Sequence, residues 1–326
     1  METNIIISKN LYLIWVQKIF FLLYTMIKFK DIEQISNLEI LAKQLVDGFI
    51  TGLHKSPYHG FSIEFSEHKP YNEWQSTRHI DWKVFARTDK LYSKQFEEDT
   101  NLRCLILIDS SSSMYYPVES KAKIKFSIQA AAAIAYLLHK QRDAVGLCLF
   151  SSKVEELTSI KSSFTHLKKL FSHLERKLEQ SAFDKNITSI PNVLHEVAEK
   201  IHKRSLVILF SDLFDSSEDI NEVFKSLQHL KHYNNEVLLF HISENSTEQE
   251  FNFDDRLHEF VDLENNAKIR LNPNEVRSEY ATALKQFHQN IKLKCHQLKI
   301  DFIEVDTSKS YNEVLQAYLI KRAKMR

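Results

Sequence analysis

Arg103–Met114 reads RCLILIDSSSSM: five apolar residues in succession, Cys104 to Ile108, stopped by Asp109 and four serines. A half-exposed strand alternates apolar with polar residues. An unbroken run bounded by turn-formers is instead what a parallel strand buried on both faces requires. The pattern recurs in AVGLCLF (Ala144–Phe150) and SLVILFSD (Ser205–Asp212), with EVLLFHIS (Glu236–Ser243) and IDFIEVD (Ile300–Asp306) as further strands. Helical spacing fills the gaps: an Ala-rich stretch from Lys121 to about Gln141, then Phe164–Leu178, Ile190–Lys203, Ile220–His232, Glu275–Leu298 and Asn312–Lys324. Strands alternating with helices of this length predict an α/β fold with a mainly parallel sheet.

Upstream the texture changes. From Ile32 to Leu53 apolar residues return at helical spacing (Ile35, Leu38, Leu41, Leu45, Val46), predicting one amphipathic helix that ends near Gly52. Ser56–Asp99 carries Pro57, Gly60 and Pro70 among short alternating runs such as SIEF and LYSKQFEED, as in a small β-rich unit. The division expected is a hydrophobic leader over 1–27, the helix and β-rich unit over 28–98, and the α/β domain over 99–326. The leader, LYLIWVQKIFFLLYTMI (Leu11–Ile27), is broken by Gln17 and Lys18. A spanning helix wants about 20 apolar residues, and a central Lys costs about 2.5–3.5 kcal/mol. No small-x-small cleavage site follows it, so a signal peptide fits poorly. Three readings stay open: a membrane anchor through 11–27, a helix packed on the body, or upstream sequence translated ahead of a start at Met26. The body is expected to be cytoplasmic.

Composition narrows the function classes. Lys plus Arg and Asp plus Glu each number 43, a balance that argues against nucleic acid or an anionic membrane as partner. The four glycines, Gly48, Gly52, Gly60 and Gly146, cannot spell a phosphate-binding loop, a dinucleotide-binding turn or a G-x-S-x-G elbow. Cys104, Cys148 and Cys295 are odd in number and far apart, and the first two sit inside apolar runs as small hydrophobes. His195-Glu196-Val197-Ala198-Glu199 lacks the second His of a zinc-protease helix and reads as helix surface.

Open parallel sheets bind ligands beyond the carboxyl ends of their strands. Past the first strand, Asp109, Ser111 and Ser113 spell D-x-S-x-S. Past the third comes Asp212, and Thr188 lies between them in the loop NITSIP. All five side chains offer oxygen and none offers nitrogen or sulfur, a set suited to a hard ion such as Mg²⁺. Asp109 and Asp212 are equally open to a reading as polar caps at strand ends, and Thr188 as the cap of the helix near Ile190.

This set resembles the metal-ion-dependent adhesion site of von Willebrand factor A-type domains, onto which Asp109, Ser111, Ser113, Thr188 and Asp212 map in order. HKSPYHGFSIEF (His54–Phe65) and RHIDWKVFART (Arg78–Thr88) are similar to the signature of the domain-of-unknown-function family 58, through His54, Ser56, Gly60, Glu64, Phe65, Tyr71, Arg78, Ile80, Asp81, Trp82, Ala86 and Arg87. The resemblance covers Ile32 to the C-terminus, with one departure: Gln75-Ser76 stands where the family often has Gly-Asp. Arg78, Asp81, Trp82, Lys83 and Arg87 read either as an acid-binding patch or as a structural network joining the small unit to the large domain.

The resemblance implies a doubly wound, von Willebrand factor A-like sheet in a bacterial protein. It also implies a bound Mg²⁺ (Mn²⁺ or Ca²⁺ in its place) and no catalysis. The expected role is an adaptor or co-chaperone whose partner is a MoxR-type AAA+ ATPase, an acidic-residue-bearing client, or both. Two other readings stand beside it. One is a phosphotransferase of the haloacid-dehalogenase type with Asp109 as nucleophile, which would need a general acid where Ser111 stands. The other is a membrane-tethered scaffold.

Overall fold

The computed structural model describes residues 37–54, 68–70, 85–87, 92–94, 102–180, 189–214, 220–263 and 267–325. Ahead of the main sheet come helix α1 (Leu38–His54) and an antiparallel pair, β1 (His68–Pro70) with β2 (Tyr92–Lys94). The first half of the sheet domain comprises β3 (Arg103–Asp109), α2 (Ala122–Lys140), β4 (Ala144–Phe150), β5 (Val154–Leu157) and α3 (Phe164–Glu179). The second half comprises α4 (Ile190–Lys200), β6 (Leu206–Ser211), α5 (Ile220–His232), β7 (Glu236–Ser243), a hairpin of β8 (His258–Val261) and β9 (Lys268–Leu271), α6 (Pro273–Gln297), β10 (Asp301–Asp306) and α7 (Asn312–Lys324).

Every predicted strand and helix of the 99–326 region is present, most within a few residues of the expected bounds. The signals that set them are local. Ser163 caps α3 by accepting from the His166 amide, and Asn272 does the same for α6 through Asn274, with Pro273 in the first turn. Strand β5 and the β8–β9 hairpin were not anticipated. Four-residue strands that leave much of their surface in solvent carry no apolar run to announce them.

The six strands lie in the order β10-β7-β6-β3-β4-β5, all parallel except β5, which pairs antiparallel with β4 at one edge. From β3 the chain winds outward through β4 to β5, then crosses back to lay β6 on the other side of β3. The sheet is therefore doubly wound, and its order reverses between β3 and β6.

Alternate residues of each strand feed two separate cores. Cys104, Ile106 and Ile108 join Ile208, Phe210 and Phe240 against α1, α2, α3 and α7. Leu105 and Leu107 join Val207, Leu209 and Leu239 against α4, α5 and α6. This is why the strands read as unbroken apolar runs: neither face meets water. Burying each such side chain contributes about 1.5–3 kcal/mol. The buried residues Ala130–Ala133 let α2 lie close on the sheet, and α1 seals α2 from outside through Leu38, Leu41, Ala42, Val46 and Phe49. Gly146 in β4 serves a similar close approach, since a Cβ there would stand 2.9 Å from Ile160 Cγ1.

The three cysteines are free and buried, and burial pushes the Cys148 and Cys295 thiols up to about 12, so they behave as inert apolar groups. Among the described residues no helix is long and apolar enough to cross a membrane. The leader Leu11–Ile27 and most of the expected β-rich unit, with Ser56, Gly60, Glu64, Phe65, Tyr71 and Arg78–Trp82, lie outside the described residues. Ala86 and Arg87 fall in a helical segment at 85–87.

Candidate metal centre

The strand order reverses between β3 and β6, and the carboxyl edge at such a reversal is the place where doubly wound sheets bind ligands. Asp109 is the last residue of β3 and Asp212 immediately follows β6, so the topology alone sets the two acids side by side. Both carboxylates are fully buried.

Beyond Asp109 the chain turns sharply. The Ser111 amide donates to Asp109 Oδ1 at 2.9 Å, and a 3₁₀ turn follows over Ser112–Tyr115. That turn sets the Ser111 and Ser113 hydroxyls 3.0 Å apart, with Ser111 buried and Ser113 half-buried toward solvent. The other carboxylate oxygen of Asp109 accepts from the Ser211 hydroxyl at 2.7 Å. Ser211 in turn accepts from the Leu213 amide at 2.9 Å. Leu213 takes a φ of 55°, a left-handed conformation uncommon for a bulky residue, and the Phe214 amide reaches Asp212 Oδ1 at 3.2 Å. Backbone strain of this kind, about 1–3 kcal/mol, tends to persist at functional sites.

Asp109, Ser111, Ser113 and Asp212 are therefore gathered at one point. Thr188 lies outside the described residues, and the cap position of α4 belongs to Ser189. Neither Asp109 nor Asp212 caps a helix. Each instead binds the amide two residues ahead in a turn.

Three participants were not foreseen. Ser211 is one. Lys123, in the first turn of α2, is only 1% exposed and donates to Asp212 Oδ2 at 2.8 Å and to Glu248 Oε1 at 2.6 Å. Glu248 belongs to a single π-helical turn, Asn245–Gln249, just after β7. Lys123 had a legible signal. It lies in a helix buried on nearly every side from residue 123 to 138, where a charge needs a buried partner. Glu248 had none, being 125 residues away in a polar stretch.

The electrostatics are unbalanced. Burial, with the Asp212 charge second, pushes the Asp109 carboxyl up to about 7 despite its hydrogen bonds from Ser211 and Ser111. Burial opposes charge on Lys123 as well, but Asp212 and Glu248 overcome it and hold the ammonium above its usual range. Burial raises Glu248 even beside Lys123. Among the described residues no basic side chain makes an ion pair with Asp109. Nor does any group of three or more His, Cys, Asp or Glu there stand ready to hold a metal ion, so this candidate depends on hydroxyl as well as carboxylate oxygens. The donor set fits a hard cation: oxygens only, two of them hydroxyls, around an acid whose charge lacks a basic partner.

The fold is that of a von Willebrand factor A-like domain. A family model described as "Protein of unknown function DUF58" matches residues 67–290, and the chain belongs to that family. An uncharacterized protein of Mycobacterium tuberculosis is 32% identical over 100 residues, covering 31% of this chain and 32% of that protein, and one of Mycobacterium bovis matches equally. The match thus spans about a third of these relatives' length. Among solved structures, the conserved hypothetical protein BatB of Bacteroides thetaiotaomicron aligns at 14% identity and a TM-score of 0.43, over 68% of this chain and 99% of that one. An aerotolerance-related membrane protein of Bacteroides fragilis gives 12% identity, a TM-score of 0.43 and the same coverage. Proximal thread matrix protein 1 of the mussel byssus, solved with a zinc-occupied MIDAS motif, aligns at 16% identity and a TM-score of 0.35, over 44% of this chain and 38% of that one. The fold assignment rests on the strand order and on the turn at its reversal.

Proposed function

We propose that this domain works by non-covalent capture rather than catalysis. In this reading Asp109, Ser111, Ser113, Thr188 and Asp212 hold a divalent cation, Mg²⁺ first and Mn²⁺ or Ca²⁺ in its place. The bound ion supplies positive charge and open coordination positions that an acidic side chain of another protein can fill. A MoxR-type AAA+ ATPase, or an acidic client passed to it, is the partner that the family resemblance suggests. The chain would then act as adaptor or co-chaperone.

The observation that carries this reading is the state of Asp109: fully buried at the reversal of the sheet, beside a second acid and two hydroxyls, with no basic partner among the described residues. The surrounding residues have definite parts. The Ser211 hydroxyl and the Ser111 amide fix the orientation of the carboxylate. The 3₁₀ turn presents Ser111 and Ser113 on one side, and half-buried Ser113 marks the way out to solvent.

Titration calorimetry with Mg²⁺ and Mn²⁺ on the full chain tests the site. One ion bound per chain, and none in Asp109→Ala, is the result expected. Equal binding by the variant would remove these residues from the metal. Recovery of partners from native lysate then tests the role. Proteins held by wild type in Mg²⁺ should be lost both in EDTA and with Asp109→Ala, whereas the same proteins recovered in all three would show that the ion is not the contact.

A further inference from the structure

We infer that Lys123 is an internal cation that competes with the divalent ion for Asp212, and that Glu248 is the acid that keeps its ammonium paired when Asp212 is released. The inference rests on the metal reading above and concerns what sets the affinity of that site.

Lys123 and an ion held by Asp109, Ser111 and Ser113 would draw on one carboxylate. Asp212 is completely buried; its Oδ1 takes the Phe214 amide and its Oδ2 takes the ammonium at 2.8 Å. A second cation arriving at Asp212 meets a positive charge already in place. In a buried setting such repulsion is poorly screened. Removing Lys123 from Asp212 with nothing in return would strand a buried charge, which is strongly unfavourable.

Glu248 removes that obstacle. It lies 2.6 Å from the same nitrogen and is itself held firmly. Its second carboxylate oxygen accepts from the Glu244 amide at 2.9 Å, and its carbonyl accepts from the Tyr280 hydroxyl at 2.7 Å. The adjacent Thr247 hydroxyl accepts from Tyr116 at 2.7 Å, pinning the same turn from the side of β3. Lys123 can thus give up Asp212 and remain ion-paired. The affinity of the site then depends on how the ammonium divides itself between the two acids.

Mn²⁺ binding to the full chain, read by electron paramagnetic resonance of the free ion, separates the possibilities. Lys123→Met should bind Mn²⁺ about tenfold or more tighter than wild type. Glu248→Gln leaves Lys123 dependent on Asp212 alone and should weaken binding by about fivefold or more. Glu250→Gln makes the same charge change beside the same turn, where its carboxylate bonds Asn245 instead, and should leave affinity within about twofold. Binding by wild type with Lys123→Met no tighter overturns the inference and leaves the metal site standing. Equal weakening by Glu248→Gln and Glu250→Gln also overturns it, because a general field would then suffice. Those two near-isosteric variants decide the matter if Lys123→Met fails to fold. No Mn²⁺ bound by any of the four proteins overturns the metal reading, and this inference with it. Binding by Lys123→Met alone supports it in its strongest form.

Discussion

The two ends of the central sheet handle charge in different ways. At the amino edge, where the strands begin, Asp143 pairs with Arg322 at 2.8 Å, Asp301 with Lys321 at 2.7 Å, and Glu236 with both Lys321 and Lys231 at 2.7 and 2.9 Å. Three acids meet three bases, and the Asn235 side chain accepts from the Ser205 amide and donates to the Leu230 carbonyl. At the carboxyl edge Asp212 and Glu248 share the ammonium of Lys123, Glu155 pairs with Lys177 at 2.6 Å, and among the described residues Asp109 makes no ion pair. Both edges belong to the same strands and the same cores. Under the metal reading proposed above, the unpaired Asp109 at the carboxyl edge is the charge that a cation from outside would balance.

Substitution can break or sharpen that contrast. The largest change in stability is expected at the balanced edge. Arg322→Met removes the cation paired with Asp143, which is 2% exposed, and should destabilise the protein by about 3–5 kcal/mol in denaturant unfolding. A loss under 1 kcal/mol would show that this edge does not depend on its pairing. The unbalanced edge should respond in the other direction. Asp109→Asn relieves the repulsion with Asp212 and should leave stability in EDTA unchanged or higher by about 1–2 kcal/mol. The same variant should lose any stabilisation that wild type gains from Mg²⁺. A marked loss of stability in EDTA would make Asp109 a structural residue.

The smallest effect concerns acid. His166 at the amino edge bonds the Val145 carbonyl through Nε2 at 3.1 Å, and burial holds its imidazole below the usual 6.5. Above that pH it is neutral folded or unfolded and contributes no pH dependence. As pH falls below about 6.5 the unfolded chain takes up a proton that the folded one resists. Stability should then decline, by at most about 1.4 kcal/mol per pH unit. Urea midpoints measured from pH 7 to 5 should fall less steeply for His166→Gln than for wild type.

How much of this was legible follows the range of the interactions. The strands announced themselves because burial on two faces forces runs such as Cys104–Ile108 and Leu206–Phe210 to be apolar throughout. Asp109, Ser111, Ser113 and Asp212 were legible because they stand directly after such runs, and strand order does the rest. Lys123 was marked as a charge within a buried helix, but its pairing with Asp212 and Glu248 was not legible, since it joins residues 89 and 125 apart. Nor was the role of α1. Its amphipathic pattern predicted a helix, but only the packing shows that its apolar face closes the core around α2.

The crossing of the chain from β5 back to β6 also has a consequence in time. Asp109 and the serine that orients it, Ser211, are separated by 102 residues. At a synthesis rate of about 5–20 residues per second, Ser211 is added to the growing chain about 5–20 s after Asp109. Over that interval β3 can pair with β4 on one side, while its other edge waits for β6. Lys123 is made within about 1–3 s of Asp109 at those rates, well before either of its acids. The carboxyl-edge cluster is therefore complete only once Glu248 has been made, and Lys123 is in place before both of the acids that pair with it.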